Sequence, residues 1–185
     1  MTAYQLPKSL EVGGERYEIR TDFRAVLDVL IAMNDLDLDE VGRAMVVLQI
    51  IYPRWAEIPA GHIQEAVEKA CSFIDCGQKD DGKPKPKMID WEQDSSIIIP
   101  AINKVAHFDV RDQEHLHWWT FFGFFMEIGE STFSTVLHIR QKMKHGEKLE
   151  KWERKFYEQN MGLCDLKQQK SREEQEIADY FNKWL

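Results

Sequence analysis

The segment His115-Leu116-His117 is the first candidate for metal chemistry, because imidazole nitrogens are common zinc ligands. On a helix, two residues this close point their side chains about 200° apart, so one ion cannot bind both rings. No cysteine or carboxylate cluster surrounds them. We therefore expect no metal site, with one histidine hydrogen-bonded in the core and the other facing solvent.

Three carboxylates at alternate positions, Asp90, Glu92 and Asp94, form the second candidate. On a strand they would converge and could serve a metal or acid–base catalysis, whereas on a helix they fan out. Because a helix start attracts negative charge, Asp90 and Glu92 are explained without catalysis. We expect no catalytic residue and no cofactor, and we keep a metal-dependent enzyme as the weaker alternative.

The segment from Arg140 to Lys155 carries seven Lys or Arg residues against three Glu, in a chain of net charge −8. It could bind an acidic partner helix or RNA, and Arg140, Lys144 and Lys151 are the candidate residues. The structural alternative, which we favour, is a solvated helix face with ion pairs such as Glu147–Lys151 one turn apart.

Charge and composition exclude several classes of protein. A net charge of −8 over 185 residues argues against general binding to nucleic acid or to an anionic membrane. Met1–Lys8 does not resemble a signal peptide, and no run is long and apolar enough to span a bilayer. An odd number of cysteines is typical of free thiols in a reducing cytosol.

The densest apolar run extends from Leu116 to Ile128. Its large side chains point in every direction around a helix, which predicts a central helix that is covered on all sides by its neighbours or by a partner protein. Most of these aromatic residues should be core, but some could line a groove for a partner. The candidates for that groove are Trp118, Trp119, Phe122 and Phe125.

The remaining elements are predicted from turn, cap and periodicity signals. Alternating residues on both sides of Gly13-Gly14 predict a hairpin over Ser9–Arg20, as a structural ribbon or as an edge that pairs protomers. Thr21 should cap the first helix, Pro53 should end the second and Pro59-Ala60 should open the third. Ser131 should cap a helix that reaches Lys144.

Two further patterns lie between Asp90 and Phe108. Asp90 and Gln93 resemble a reciprocal capping box at a helix start. Pro100 lies inside the same helical pattern and should kink or break the helix near Ile97–Ile99, because proline has no amide hydrogen to donate.

These signals together predict a mainly α-helical protein, a compact bundle of about seven or eight helices with an N-terminal β-hairpin. We divide the chain into a hairpin with helices (1–77), a charged linker (78–89), a helical core (90–160) and a last helix (161–185, capped by Ser171). We expect these parts to form one structural domain.

Three stretches of the chain resemble the bacteriophage "gene product fifteen" family. They are LPKSLEVGGERYEIRTDFR, DWEQDSSIIIPAI and LHWWTFFGFF. Within them, the specific motifs are Asp22-Phe23-Arg24, Glu92-Gln93-Asp94 and Leu116-His117-Trp118-Trp119. The resemblance runs from Leu6 to about Tyr157 in family order and does not include the tail beyond Asn160.

The resemblance implies a protein from the tail module of long-tailed phages and prophages of Gram-positive bacteria. Such a protein would be a non-enzymatic tail assembly chaperone in the host cytoplasm. Its partners would be the tape-measure protein, which it keeps soluble, and the major tail-tube protein, and we also consider a homo-oligomer. The alternative is a structural tail or connector component that stays in the virion.

Overall fold

The computed structural model describes residues 4–78 and 87–167 of the chain. These residues divide into two compact units, an N-terminal unit (4–78) and a C-terminal unit (87–167). They form eight α-helices and one two-stranded antiparallel sheet, so the predicted mainly α fold with an N-terminal hairpin is confirmed. None of the described helices is both long and apolar enough to cross a membrane.

The N-terminal unit begins with the predicted hairpin, made of β1 (Ser9–Val12) and β2 (Glu15–Glu18). Val12 lies opposite Glu15, so only two residues form the turn. These are Gly13 at φ +60° and Gly14 at φ +82°, which is the left-handed conformation that glycine adopts without strain. The side chains on one face of the hairpin are buried: Leu10, Val12 and Tyr17.

Three helices complete the N-terminal unit: α1 (Phe23–Ala32), α2 (Glu40–Ile51) and α3 (Ile63–Ile74). The cap of α1 is Asp22 and not the predicted Thr21, because the Asp22 carboxylate accepts a hydrogen bond from the amide of Arg24 at 3.1 Å. After Pro59 the chain forms a 3-10 turn (Ala60–His62) before α3, so the third helix begins later than predicted.

The C-terminal unit contains five helices: α4 (Ser95–Ala106), α5 (Trp118–Met126), α6 (Thr132–Lys144), α7 (Lys151–Gln159) and α8 (Met161–Cys164). Ser131 caps α6 as predicted, since its hydroxyl accepts a hydrogen bond from the amide of Ser134 at 3.1 Å. The four-residue helix α8 has no sequence signal, because one turn is too short to show an apolar period.

Pro100 does not break α4, which runs without interruption from Ser95 to Ala106. The predicted break is therefore wrong. The carbonyl that loses its helical partner belongs to Ser96, and both Ser96 and Pro100 are exposed, so water can replace the missing amide. The opposite side of the helix is buried and stabilises the helical conformation through Ile98, Ala101 and Ile102.

Two predicted features fall outside the described residues. Residues 79–86 of the predicted linker are not among them, nor are residues 168–185, where the sequence predicts the last helix. The division of the chain into four segments therefore stays a prediction.

Candidate functional site

Among the described residues, neighbours cover only part of the surface of helix α5, so they do not supply the predicted covering on all sides, and covering by a partner protein stays a prediction. Trp118 is 1% exposed and Phe121 is fully buried, whereas Met126 is 61% exposed. Phe122 and Phe125 are half-buried. The helix packs against α4 and also contacts α6 through Phe125 and Phe133, and this support leaves several of its apolar side chains partly exposed.

The side chains of α5 belong to a set of six aromatic residues that we call the aromatic cluster: Trp91, Trp118, Phe121, Phe122, Phe125 and Phe133. The Trp118 ring centroid lies 5.8 Å from that of Phe121 and 5.5 Å from that of Phe122. Phe125 is 5.8 Å from Phe122 and 4.9 Å from Trp91. Aromatic pairs at these separations attract one another beyond the effect of burial alone.

The aromatic cluster has a buried side and a half-exposed side. Trp118, Phe121 and Phe133 form the buried side. Trp91, Phe122 and Phe125 form the half-exposed side, which we call the outer aromatic side. Large rings that remain partly exposed and support each other are typical of surfaces that bind other proteins.

A second pair of rings lies on the other flank of α5. Phe108 and Phe124 meet edge to face, with centroids 5.9 Å apart. Phe108 is exposed and Phe124 is half-buried. Apolar side chains are therefore accessible on both flanks of α5.

The two histidines before α5 have separate roles. His117 is buried, and its Nδ1 accepts a hydrogen bond from the amide of Trp119 at 3.1 Å, which caps the helix. His115 is exposed. The prediction of one core histidine and one solvent-facing histidine is confirmed. In the described part of the chain, no group of three or more His, Cys, Asp or Glu residues could hold a metal ion.

The carboxylate of Asp90 lies at the start of the turn that leads into α4. It accepts hydrogen bonds from the amides of Glu92 and Gln93 at 3.1 and 2.9 Å. Although burial raises the pKa of Asp90, the bonds from Gln93 and Lys87 lower it below its usual value. The reciprocal bond of the predicted capping box comes from Asp94, which accepts from the amide of Asp90 at 2.9 Å, and not from Gln93.

Arg140 is only 6% exposed and donates all its hydrogen bonds inside the C-terminal unit. Its guanidinium binds both carboxylate oxygens of Asp94 at 2.7 Å. The other donors reach the carbonyl oxygens of Met88 at 2.9 Å, Cys164 at 2.9 Å and Leu163 at 2.6 Å. A guanidinium has five N–H groups, so none remains for a partner. The structure gives Arg140 this internal role, and its candidate role in binding stays a prediction.

A second internal network joins α6 to α7. Glu153 is buried and accepts from the Lys142 ammonium at 2.6 Å, and its carboxylate lies 2.9 Å from Nε2 of His138. The hydrogen bond from Lys142 lowers the pKa of the Glu153 carboxyl. The predicted Glu147–Lys151 pair on one helix face is wrong, because α7 begins only at Lys151.

Two of the candidate cations remain on the surface, Lys144 at the end of α6 and Lys151 at the start of α7. Other exposed cations of the same segment are Lys148, Arg154 and Lys155. Lys144 also borders a cavity of about 400 Å³ whose apolar walls include Met88, Met143 and Leu166. This part of the unit therefore presents positive charge beside apolar side chains, in a chain that is acidic overall.

Of the seven candidate partner-binding residues, Lys144 and Lys151 are exposed, and Phe122 and Phe125 are half-buried on the outer aromatic side. Trp119 is half-buried beside the cap of α5. Trp118 and Arg140 are interior residues. Sequence reasoning missed Trp91, which lies 27 positions before Trp118 in the sequence, because no periodicity links it to α5.

The helical fold, the outer aromatic side and the exposed cations define a class of protein: a mainly helical one whose most distinctive surface features suit contact with other proteins. The chain belongs to a phage family, since the family model described as "Bacteriophage Gp15 protein" matches residues 3–166. The resemblance inferred from the sequence motifs is thereby confirmed, and it indicates a phage structural or morphogenesis protein. No curated protein and no solved structure matches the chain.

Proposed function

We propose that the protein is a non-enzymatic tail assembly chaperone that binds the tape-measure protein and assists assembly of the tail tube in the host cytoplasm. The observation that carries the proposal is the outer aromatic side of a phage-family protein, formed by Trp91, Phe122 and Phe125. A tape-measure protein is long, helical and apolar, so before assembly it needs a partner that covers its apolar helix faces.

An amphipathic helix of the tape-measure protein would lie along the outer aromatic side with its apolar face towards the rings. The rings of Phe122 and Phe125 stack 5.8 Å apart, so they present a continuous apolar surface about one helical turn long. Acidic residues elsewhere on the client would bind the exposed cations of α6 and α7, such as Lys144 and Lys151. The net charge of −8 would keep the complex soluble through repulsion between complexes.

Co-expression with the tape-measure protein of the same phage tests this proposal. The intact chain should keep the tape-measure protein in the soluble fraction and co-purify with it. The double variant Phe122→Ser and Phe125→Ser should reduce co-purification by about tenfold or more, because large aromatic residues dominate the energy of such interfaces. Absence of rescue and of co-purification with the intact chain would overturn the proposal.

Trp152→Ser provides the matched control. Trp152 is also a large exposed aromatic residue, 54% accessible, but it lies on α7 outside the aromatic cluster. It should leave co-purification unchanged. Circular dichroism and thermal unfolding of both variants establish that loss of binding is not loss of fold, since Phe125 also contacts Phe133.

Mass spectrometry of purified virions separates this role from that of a structural tail component. A chaperone should be absent from the finished particle, while the tail-tube and tape-measure proteins are present. Detection of the chain in a fixed ratio to the tape-measure protein would instead assign it to the tail itself.

A further inference from the structure

The outer edge of β2 presents backbone groups that β1 does not use. The amide of Ile19 donates to the carbonyl of Lys8 at 3.1 Å, which makes these two residues a hydrogen-bonded pair. In an antiparallel ladder such pairs alternate with pairs whose N–H and C=O groups point away from the partner strand. The backbone groups of Arg16 and Glu18 therefore point outward from the hairpin.

Within residues 4–78 and 87–167, no backbone hydrogen bond reaches Arg16 or Glu18 from outside the hairpin. The next outward amide along the chain is that of Arg20, which donates to the carbonyl of Ile51 at 2.8 Å. Among the described residues, the β2 edge is therefore paired at Arg20 and unpaired over 16–18. Open strand edges of this kind pair readily with another strand.

We propose that this open edge pairs with the β2 strand of a second copy of the chain. The strands would run antiparallel about a two-fold axis through Tyr17. Arg16 of each copy would then lie opposite Glu18 of the other, and each such pair would exchange both of its backbone hydrogen bonds. The product is a continuous four-stranded sheet across the two hairpins.

Charge complementarity favours a second copy of the chain as the source of the strand that pairs with this edge. Arg16 and Glu18 are exposed and carry opposite charges on the same face of the strand. The two-fold axis places unlike charges directly opposite each other on both sides, which stabilises cross-strand pairs. Proteins that avoid edge pairing place like charges at such positions, so that copies repel each other.

The other edge of the hairpin lacks this complementarity. On β1 the outward residues are Ser9 and Glu11, and a two-fold axis through Leu10 would set a serine opposite a glutamate. The turn next to β2 also leaves room for a neighbour, since a Cβ placed on Gly14 would meet no atom within 4 Å. The β2 edge is therefore the one suited to self-pairing.

Sedimentation equilibrium of the full chain with charge-reversal variants tests the proposal. Arg16→Glu places Glu opposite Glu in the dimer, and Glu18→Arg places Arg opposite Arg. Each variant alone should dimerise about tenfold or more weakly than the natural chain, because an attractive pair becomes a repulsive one on both sides of the axis. An equimolar mixture of the two variants should recover the natural strength, since every pair is again of opposite charge.

Lys69→Glu is the matched control, because it makes the same charge change as Arg16→Glu at an exposed position of α3, outside the hairpin. It should leave dimerisation unchanged. Hydrogen exchange of the Arg16 and Glu18 amides should also slow as the protein concentration rises. A natural chain that stays monomeric at all concentrations, or a mixture that associates as weakly as the single variants, would overturn the proposal. The outcome is independent of whether the tape-measure protein is the client.

Discussion

Replacing Arg140 by methionine should destabilise the C-terminal unit more than any single surface change. Methionine keeps most of the length of the side chain but donates no hydrogen bond. It would leave the buried Asp94 carboxylate with only the amide of Asp90 and would remove the donors that serve three carbonyl groups. Breaking a buried ion pair from one side costs about 3–5 kcal/mol of unfolding free energy.

Urea unfolding followed by circular dichroism and tryptophan fluorescence measures this loss. Lys144→Met is the control, because Lys144 lies on the same helix but is exposed. It should change the unfolding free energy by less than about 0.5 kcal/mol. The double variant Asp94→Asn with Arg140→Met removes both charges. It should lose about 1–3 kcal/mol less than the sum of the two single losses.

The reasoning would be refuted if Arg140→Met unfolded within about 0.5 kcal/mol of the natural chain, because that is the range of ordinary surface substitutions. Strict additivity of the two single losses would refute it as well, since it would show that Arg140 and Asp94 do not act as a pair.

Two further predictions follow from local contacts. The hydrogen bond from Lys142 lowers the pKa of Glu153 in the folded state. The ionised Glu153 carboxylate therefore stabilises the fold fully above the usual glutamate pKa of 4.5, and this stabilisation is lost as the pH falls through the lower pKa of the folded state. Thermal unfolding between about pH 3 and 7 should therefore show a weaker acid dependence for Glu153→Gln than for the natural chain. Gly13→Ala should cost about 1–2 kcal/mol more than Gly14→Ala in urea unfolding, because its methyl group would lie 2.8 Å from the His62 ring, while the one at Gly14 meets nothing. Equal losses at the two glycines would contradict this.

Features governed by neighbouring residues could be predicted from the sequence. The hairpin turn at Gly13-Gly14 follows from the backbone conformation that only glycine adopts easily, and the start of α6 follows from the hydroxyl of Ser131. In each case the determining group lies within a few residues of the feature. The same principle accounts for the cap at Asp22, where the prediction missed by one residue.

Features that depend on distant residues could not be predicted. Arg140 and Asp94 are 46 residues apart, and nothing in the local pattern of either one indicates the other. Helix α5 shows a different difficulty. When almost every residue is apolar, periodicity no longer identifies the buried side, so the sequence could not separate Phe121 in the core from Phe122 on the outer aromatic side.

The hydrogen bonds from Arg140 to the carbonyl oxygens of Met88, Leu163 and Cys164 connect the first segment of the C-terminal unit to its last short helix. Helix α8 has only four residues, yet the carbonyl oxygens of Leu163 and Cys164 accept two hydrogen bonds from the buried guanidinium, whose charge is paired with Asp94. Shortening the chain to end at Asn160 would therefore resemble a substitution in the core and not the trimming of a terminus. Boundaries of any autonomous fragment should enclose both residue 88 and residue 164.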